Sequence, residues 1–340
     1  MRATFTQEQL EIGKTVHAIA EGEGVTARAA LAAPWTAPAC DGPLLRDFGL
    51  LGVPTSAGGI GSGLVDLLVA VEALGEHLVP SRFPAHAAAV QLLCGPGPGA
   101  ELPADVLEGT RVLTPAVDAG PSAWTLVRYA APADGFAVLG GGDDEDAGQV
   151  RIVGPAGVTV TARQSLDPSV PLSDLTVAAT AIGGGAGVAA AVDRATLVVA
   201  AELCGVAQGA IELAAGQART RMQFGRVIGS FQGVAFQLAE AATARKAAWD
   251  LTLYAAWAVD NARPDAAIQV HAAKAAAGRA AVFAAERCIQ VHGGMGITME
   301  ADPHLYLRRA LVLDAVLGAG SWHRRRTGAL RIAARTEAAP

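Results

Sequence analysis

The segment 221-RMQFGRVIGSFQGVAFQLAE-240 places a glycine corner just before the start of a long helical pattern. Arg221 and Phe224 come before the corner, and Gln232 heads the helical pattern. Helix packing alone does not require this combination. Free amides at a helix start, a guanidinium and an aromatic face suit a phosphate attached to a ring system. Taken alone, the segment also fits an exposed Arg beside an ordinary corner Phe.

A second corner of similar composition follows in 287-RCIQVHGGMGITMEADPHLYLRR-309. Gln290 offers a side-chain amide, and Gly293 and Gly294 offer bare backbone against which a ligand can lie. A glycine pair at a helix end is usually just a C-cap. Two such corners in one helical region favour a shared ligand-binding surface.

The chain divides into three parts by pattern. Residues 1–108 predict an N-terminal helical domain, and residues 109–187 predict a middle β domain with a solvated acidic hairpin tip at 140–148. Residues 188–340 predict a C-terminal bundle with short loops between antiparallel helices. Its four predicted helices span 188–221, 231–261, 264–291 and 303–335. The fold class is therefore mainly α with a small β domain.

Composition excludes several classes of protein. The net charge of −6 argues against a nucleic-acid partner. The four cysteines are scattered and form no CxxC pair, so we expect reduced thiols, a cytoplasmic location and no metal site. No apolar run of membrane-spanning length is evident, so we expect no membrane span.

A glycine-rich segment, 183-GGGAGVAAA-191, contains G-x-G-x-x-A after a strand-like run. A dinucleotide site needs that turn inside a strand–helix–strand unit. Only long helical patterns follow here, so the segment is interpreted as a linker entering the bundle.

These motifs together resemble the acyl-CoA dehydrogenase family. RMQFGRVIGSFQ resembles the family's R-x-x-F-G…F-Q segment, QVHGGMGIT its Q-x-x-GG-x-G segment, and residues 50–80 its N-terminal loop and helix. The resemblance implies the family's three-part fold and an FAD held mainly by a neighbouring subunit. It implies that Arg221 meets the pyrophosphate and that Phe224 lies near the adenine. It places Gln232, Gln290, Gly293 and Gly294 along the same channel.

The sequence departs from the family where the flavin ring and the substrate would react. The region 113–135 lacks recognisable T-E-P and Trp-x-Thr segments, although Trp124 is present. The usual catalytic Glu is missing from 316-VLGAGSW-322. The family's second base position falls near Ala195. Asp193 is two residues away, about 200° around a helix, and is interpreted as a helix N-terminal charge.

Two further candidates lie near the C-terminus. His323 has two interpretations, an acid–base group or an ordinary His on a helix surface. The run Arg324–Arg326 also has two interpretations, a site for the phosphates of coenzyme A or a solvated basic helix end.

The resemblance therefore implies an FAD-dependent acyl-CoA dehydrogenase subunit that introduces an α,β double bond into an acyl-CoA of fatty-acid or steroid side-chain degradation. The chain resembles the smaller, degenerate subunit of heteromeric bacterial members of the family. This likeness implies a second dehydrogenase-like partner and a heterotetramer as the expected assembly. Two alternatives stay open. One is a self-sufficient homo-oligomer with a relocated base such as Asp193, and the other is a non-catalytic scaffold of the same fold.

Overall fold

The N-terminal third is helical, as its amphipathic patterns predict. The computed structural model describes residues 4–24, 26–94, 102–117, 123–139, 150–177 and 186–337. The first helix starts with a capping box, in which Thr6 and Gln9 each accept a hydrogen bond from the other's backbone N–H. The described residues of this part form the helices α1 (Gln7–Glu23), α2 (Thr26–Ala29), α3 (Asp41–Arg46), α4 (Leu64–Glu76), α5 (Phe83–Leu93) and α6 (Ala104–Leu107).

The described residues of the middle part form two three-stranded sheets. One has the order β1–β3–β4, with β1 and β3 parallel and β3 and β4 antiparallel, and the other has the antiparallel order β2–β6–β5. Their strands are β1 (Leu113–Val117), β2 (Ala123–Arg128), β3 (Gly135–Leu139), β4 (Arg151–Val153), β5 (Val158–Arg163) and β6 (Leu172–Val177). Trp124 is buried with Phe136 and Leu175, and its Nε1–H donates to the carbonyl of Leu139 at 2.8 Å. In the described structure Trp124 therefore packs in the core of the β part.

The C-terminal part is the predicted bundle with one change. Three predicted helices are α7 (Ala186–Thr220), α8 (Gln232–Asp260) and α9 (Ala266–His292). The predicted fourth helix, 303–335, is wrong as a single element, because it is divided into α10 (Pro303–Ala315) and α11 (Gly320–Glu337). Leu317 and Gly318 have φ values of 55° and 100°, which no right-handed helix can include. Lys274 donates to the carbonyls of Asp314 and Gly318 at 3.0 and 3.1 Å, satisfying acceptors at the break.

Helix α7 joins the bundle to the N-terminal helices through close backbone contact. A Cβ at Gly205 would stand 1.9 Å from the carbonyl oxygen of Glu72 in α4, so only glycine allows this approach. One buried cluster of Ala, Val and Leu side chains continues from α4 and α5 through α7 to α9. Residues 189–220 of α7 are long and apolar enough to cross a membrane by composition, but 83% of the most apolar window is buried. Its apolar character is explained by this central position.

The fold class is thus confirmed: helices, a small β part, and a C-terminal helical bundle. The boundaries after residues 108 and 187 stay predictions. The acidic tip at 140–148 lies outside the described residues, as do residues 183–185 of the glycine-rich segment. The rest of that segment, 186–191, is the start of α7, so the interpretation as a linker is wrong there.

Candidate cofactor-binding site

The first corner is a tight hairpin that follows α7. Strands β7 (Met222–Gln223) and β8 (Arg226–Val227) pair antiparallel, leaving Phe224 and Gly225 as the two turn residues. Their φ values of 51° and 77° are both positive, as a type I′ turn requires. Phe is poorly suited to this backbone region, and 91% of Phe224 is exposed. Its described ring contact is an edge-on one with Phe231, at 6.1 Å between centroids. Internal packing therefore does not explain this residue.

Helix α8 begins immediately after the hairpin with its first turn open to a ligand. Gln232 is its first residue, and the N-cap Phe231 provides no side-chain hydrogen bond to the helix. The first turn carries no acidic residue, and the Cβ position of Gly233 has no atom within 4 Å. Such a helix start, with free N–H groups and a positive dipole end, favours an anion. Arg221, which is exposed at the end of α7, adds a formal positive charge to this corner.

The second corner lies at the end of α9. Gln290 is exposed in the last turn, and Gly293 ends the helix with φ 61°, donating its N–H to the carbonyl of Gln290. The Cβ positions of Gly293 and Gly294 are open. The glycines are therefore C-capping residues and also leave the backbone accessible.

A groove of about 340 Å³ brings the two corners together. Phe224 and Gln290 line the same groove. The other predicted residues, Arg221, Gln232, Gly293 and Gly294, belong to the same corners but do not line it. The remaining lining residues are Gln223, Ile228, Phe231, Gly233, Val234, Gln237 and Val291. Several large apolar side chains that are close in sequence to the two corners are also exposed, namely Met222, Phe236, Met295, Ile297 and Met299.

A second cavity, of about 450 Å³, lies where the β part meets the bundle. It brings together the two segments in which the sequence departs from the family: β1 and β2 on one side, and residues 315–319 on the other. Among the described residues that line it, none is a carboxylate, and Arg128 carries the only formal charge. The cavity therefore offers no proton-accepting carboxylate of its own in the described part of the chain.

Asp193 lies two turns inside α7, so its interpretation as a helix N-terminal charge is wrong. It is 7% exposed, with Oδ1 3.8 Å from Nε2 of His271. Burial raises the pKa of Asp193 to about 7, against a smaller lowering by Arg326. Asp193 does not line the cavity, although its neighbour Val192 does. Ala195, near the family's second base position, is fully buried.

His323 is buried, so the expectation of a helix-surface His is wrong. Its Nδ1 lies 2.8 Å from Nδ1 of His271, and its Nε2 lies 3.0 Å from the carbonyl oxygen of Leu317. Burial and the nearby Lys274 lower the pKa of His323 to about 3. It is thus a neutral buried group that holds the α10–α11 turn.

Arg324 to Arg326 are exposed, which fits a solvated helix end.

Two groupings escaped the sequence patterns because their members are far apart in the chain. Arg128 and Glu202 form a buried ion pair, with 2.6 Å between Nη1 and Oε2. His17, Glu76 and His77 bring possible metal-ligand atoms within 4.8 Å of one another. A direct contact of 3.1 Å between His17 Nδ1 and His77 Nε2 accounts for that grouping without an ion.

The helical fold with a small β part and the two exposed corners agree with the family that the sequence resembles, and comparison with known proteins shows that family. Residues 183–329 match the family model described as acyl-CoA dehydrogenase, C-terminal domain. Acyl-CoA dehydrogenase IpdE2 of Mycobacterium tuberculosis is 30% identical over 269 residues, covering 76% of this chain and 75% of that protein. Acyl-CoA dehydrogenase FadE34 of the same organism is 34% identical over 304 residues. That match covers 83% of this chain but only 41% of FadE34.

The fold also resembles that of a protein in a solved complex. One chain of the ChsE4–ChsE5 complex from Mycobacterium tuberculosis superposes with a TM-score of 0.83 at 28% identity, covering 96% of this chain and 98% of that chain. The chain belongs to the acyl-CoA dehydrogenase family. FAD is the cofactor of this family, as the resemblance implied.

Proposed function

We propose that the chain is one subunit of an FAD-dependent acyl-CoA dehydrogenase and that its two corners hold the adenosine diphosphate half of an FAD shared with a partner subunit. The observation that carries this proposal is the exposed pair of corners. An uncapped helix start, a strained and solvent-exposed Phe224, and Gln290 meet at one outward-facing groove. Such a surface suits a ligand that is completed by another subunit.

The residues of the corners fit this half of the cofactor. Arg221 and the first N–H groups of α8 would bind the two phosphates, because charge-assisted donors favour oxyanions. Phe224 would lie against the adenine ring, and Gln290 would donate or accept a hydrogen bond beside it. Gly293 and Gly294 leave room for close approach of the ligand to the backbone. When bound, the flavin would accept the β-hydrogen of the acyl chain as hydride.

The α-proton needs a base, and we propose that the partner supplies it. General-base catalysis contributes about 10²–10⁴-fold to such a step. The described lining of the 450 Å³ cavity holds no acid, and Arg128 is its only formally charged residue. This arrangement supports a degenerate half-site in this subunit and a complete one that the partner provides.

A two-component assembly is further supported by the likeness to the ChsE4–ChsE5 complex. That structure is a complex of two proteins, ChsE4 and ChsE5. We propose an analogous hetero-oligomer here, acting on the acyl-CoA of a fatty acid or of a steroid side chain.

The test is flavin content. The chain is purified alone and after co-expression with a candidate partner, chosen as a longer acyl-CoA dehydrogenase from a neighbouring gene, and bound flavin is measured by absorbance. We expect flavin only in the co-expressed complex. Flavin in the isolated chain would favour the self-sufficient homo-oligomer, and its absence from both samples would favour the scaffold.

The self-sufficient alternative rests on one specific observation. Asp193 has a pKa raised to about 7, and a base with a pKa near neutrality suits proton abstraction. The test is Asp193→Asn, assayed for acyl-CoA turnover at matched flavin content. We expect the assembled enzyme to keep most of its activity, because Asp193 does not line the cavity. A hundredfold loss would place the base in this subunit.

A further inference from the structure

His17, Glu76 and His77 form a cluster between α1 and the end of α4. A nitrogen of each ring and an oxygen of the carboxylate all lie within 4.8 Å of one another. All three residues are half-buried. None of them lines the groove between the two corners or the 450 Å³ cavity. The proposed dehydrogenation therefore makes no use of this cluster.

The fold brings the three side chains together from distant parts of the chain. His17 lies in α1, which packs against α4. Glu76 is the last residue of α4 and His77 is its C-cap, after which Leu78 turns the chain with φ 52°. The two histidines are 60 residues apart, so no metal-ligand spacing is visible in the sequence.

The contact between the two rings needs no ion, but it does not involve the carboxylate. Nδ1 of His17 and Nε2 of His77 are 3.1 Å apart, so the N–H of one ring can donate to the nitrogen of the other. Oε2 of Glu76 lies 3.9 Å from Nε2 of His17, which is too long for a hydrogen bond. The Glu76 carboxylate thus has no hydrogen-bond partner in the described part of the chain, although only 20% of its side chain is exposed.

The charge around Glu76 is mostly negative. Glu72, Glu212 and Glu21 are the carboxylates that interact with it most strongly, and Arg245 is the main cation. Arg245 already forms an ion pair with Glu72. A cation beside Glu76 would therefore be favoured by its surroundings.

Two helix ends add to this negative potential. Gly24, the C-cap of α1, lines a cavity of about 270 Å³ together with His77 and Leu78 from the end of α4. The last turn of each helix contains an acid, Glu21 in α1 and Glu76 in α4, and neither turn contains a basic residue. Helix C-termini carry partial negative charge and favour cations, so two acidic ends at one cavity form a surface that attracts a positive ion.

The donor set suits a transition metal. Two imidazoles and a carboxylate are common ligands of Zn²⁺, whereas Mg²⁺ prefers oxygen ligands. Two nitrogens bound to one tetrahedral Zn²⁺, each at about 2.0–2.1 Å, are about 3.3 Å from each other. The 3.1 Å between His17 Nδ1 and His77 Nε2 is close to that separation.

We propose that His17, Glu76 and His77 bind one divalent transition-metal ion with the ligand preferences of Zn²⁺. Both rings bind as neutral imidazoles, so the N–H of the ring contact moves to the other nitrogen of its ring and the ion takes its place. The carboxylate of Glu76 is the third ligand, and water from the adjoining cavity is the fourth. Because its ligands come from α1 and α4, the ion cross-links these two helices. This site goes beyond the proposed function and does not depend on it.

Calorimetric titration with ZnCl₂ tests the proposal on the full-length chain without an affinity tag. The chain is used in the assembly in which it purifies, after treatment with EDTA and removal of the chelator. We expect one ion per chain, bound at least about tenfold more tightly than Mg²⁺. The temperature of thermal unfolding should rise with Zn²⁺ concentration, because the ion binds the folded state. No Zn²⁺ binding, or only weak binding of several ions per chain, would overturn the proposal.

Variants assign the ion to the cluster. His17→Gln and His77→Gln each remove one imidazole and keep a polar side chain. Each should lower Zn²⁺ affinity by at least about tenfold, since even residues that only orient a metal ligand contribute that much. The two variants are independent, so either one decides the matter if the other fails to fold.

His292→Gln is the matched control. It removes another half-buried His, whose Nδ1 lies 2.8 Å from the carbonyl oxygen of Cys288, and it should bind Zn²⁺ like the wild type. Wild-type affinity in both folded cluster variants, or a loss confined to His292→Gln, would contradict the assignment.

Co²⁺ reports the type of ligand. Bound by nitrogen and oxygen, it should give visible absorption bands that His17→Gln abolishes. A strong near-ultraviolet band of a thiolate ligand would place the ion on a cysteine and refute the proposed site. None of these readouts needs flavin, so failure of the metal site and failure of the cofactor proposal are distinguishable.

Discussion

Nδ1 of His271 lies 2.8 Å from Nδ1 of His323, and this contact fixes the protonation of both rings. Nε2 of His323 faces the carbonyl of Leu317 and must carry the proton, so its Nδ1 accepts from His271. Nε2 of His271 is then an unprotonated acceptor facing Asp193 at 3.8 Å. This arrangement favours a protonated Asp193, in agreement with its raised pKa.

The first prediction is that Asp193→Asn stabilises the fold at alkaline pH. The pKa of Asp193 is about 7 in the native state and near 4 when unfolded, so unfolding releases a proton between those values. Wild-type stability therefore falls as pH rises from 4 to 7, and the cost persists above 7. An Asn imposes no such cost, and its N–H₂ can donate towards His271. We expect a variant more stable by about 1–4 kcal/mol at pH 8, with a smaller difference at pH 5.

Urea unfolding at the two pH values measures this difference. Asp250→Asn, at an exposed position on α8, is the control and should show no comparable pH dependence. A gap between Asp193→Asn and the wild type that stays constant from pH 5 to pH 8 would contradict the raised pKa.

The second prediction concerns the contact between α7 and α4. At Gly205 a Cβ would meet the carbonyl of Glu72 at 1.9 Å, so Gly205→Ala should force the helices apart and cost about 1–3 kcal/mol of stability. Gly216→Ala, in the same helix, meets no atom within 4 Å and should stabilise by about 0.5–1 kcal/mol. Urea unfolding of both variants checks the pair. If both variants change stability in the same direction, close helix contact does not explain the glycine at position 205.

Local patterns were enough to predict the three long helices α7 to α9 and the glycine turns that follow α7 and α9. The bounds predicted for α7 to α9 agree with the structure to within two residues, because long 3.6-residue periodicity survives any tertiary arrangement. The break at Leu317 and Gly318 was missed, since the apolar pattern continues across it and the turn depends on Lys274 from another helix. Arg128 carried no signal at all. Its partner, Glu202, is 74 residues away, so only the fold reveals that the charge is buried beside a cavity.

The third prediction separates stability from function at the hairpin. Asn is favoured over Phe where φ is positive, and an Asn-Gly pair is typical of a type I′ turn. Phe224→Asn should leave the fold as stable or make it more stable by about 1 kcal/mol, since little packing is lost from a 91% exposed ring. It should also weaken FAD retention by the assembled protein. Thermal unfolding and flavin content after dialysis are the two measurements. Ile332→Asn, at another exposed apolar position, is the control for losing surface hydrophobicity and should retain flavin.

The last prediction tests the cofactor corner through its charge. Arg221 is exposed, and the hydrogen bonds that place it are made by its backbone, which donates to Gln217 and accepts from Ile228. Arg221→Ala should therefore keep the fold. It should lose a charge-assisted contact to pyrophosphate worth roughly 1.5–3 kcal/mol, or about tenfold or more in FAD affinity.

Arg219→Ala removes the same charge from an exposed position two residues earlier, so it controls for the general electrostatic field. Flavin content of the co-expressed complexes, after dialysis at limiting FAD, is the measurement. Equal retention by the two variants would mean that Arg221 contributes only its charge to the surface and does not contact the phosphates.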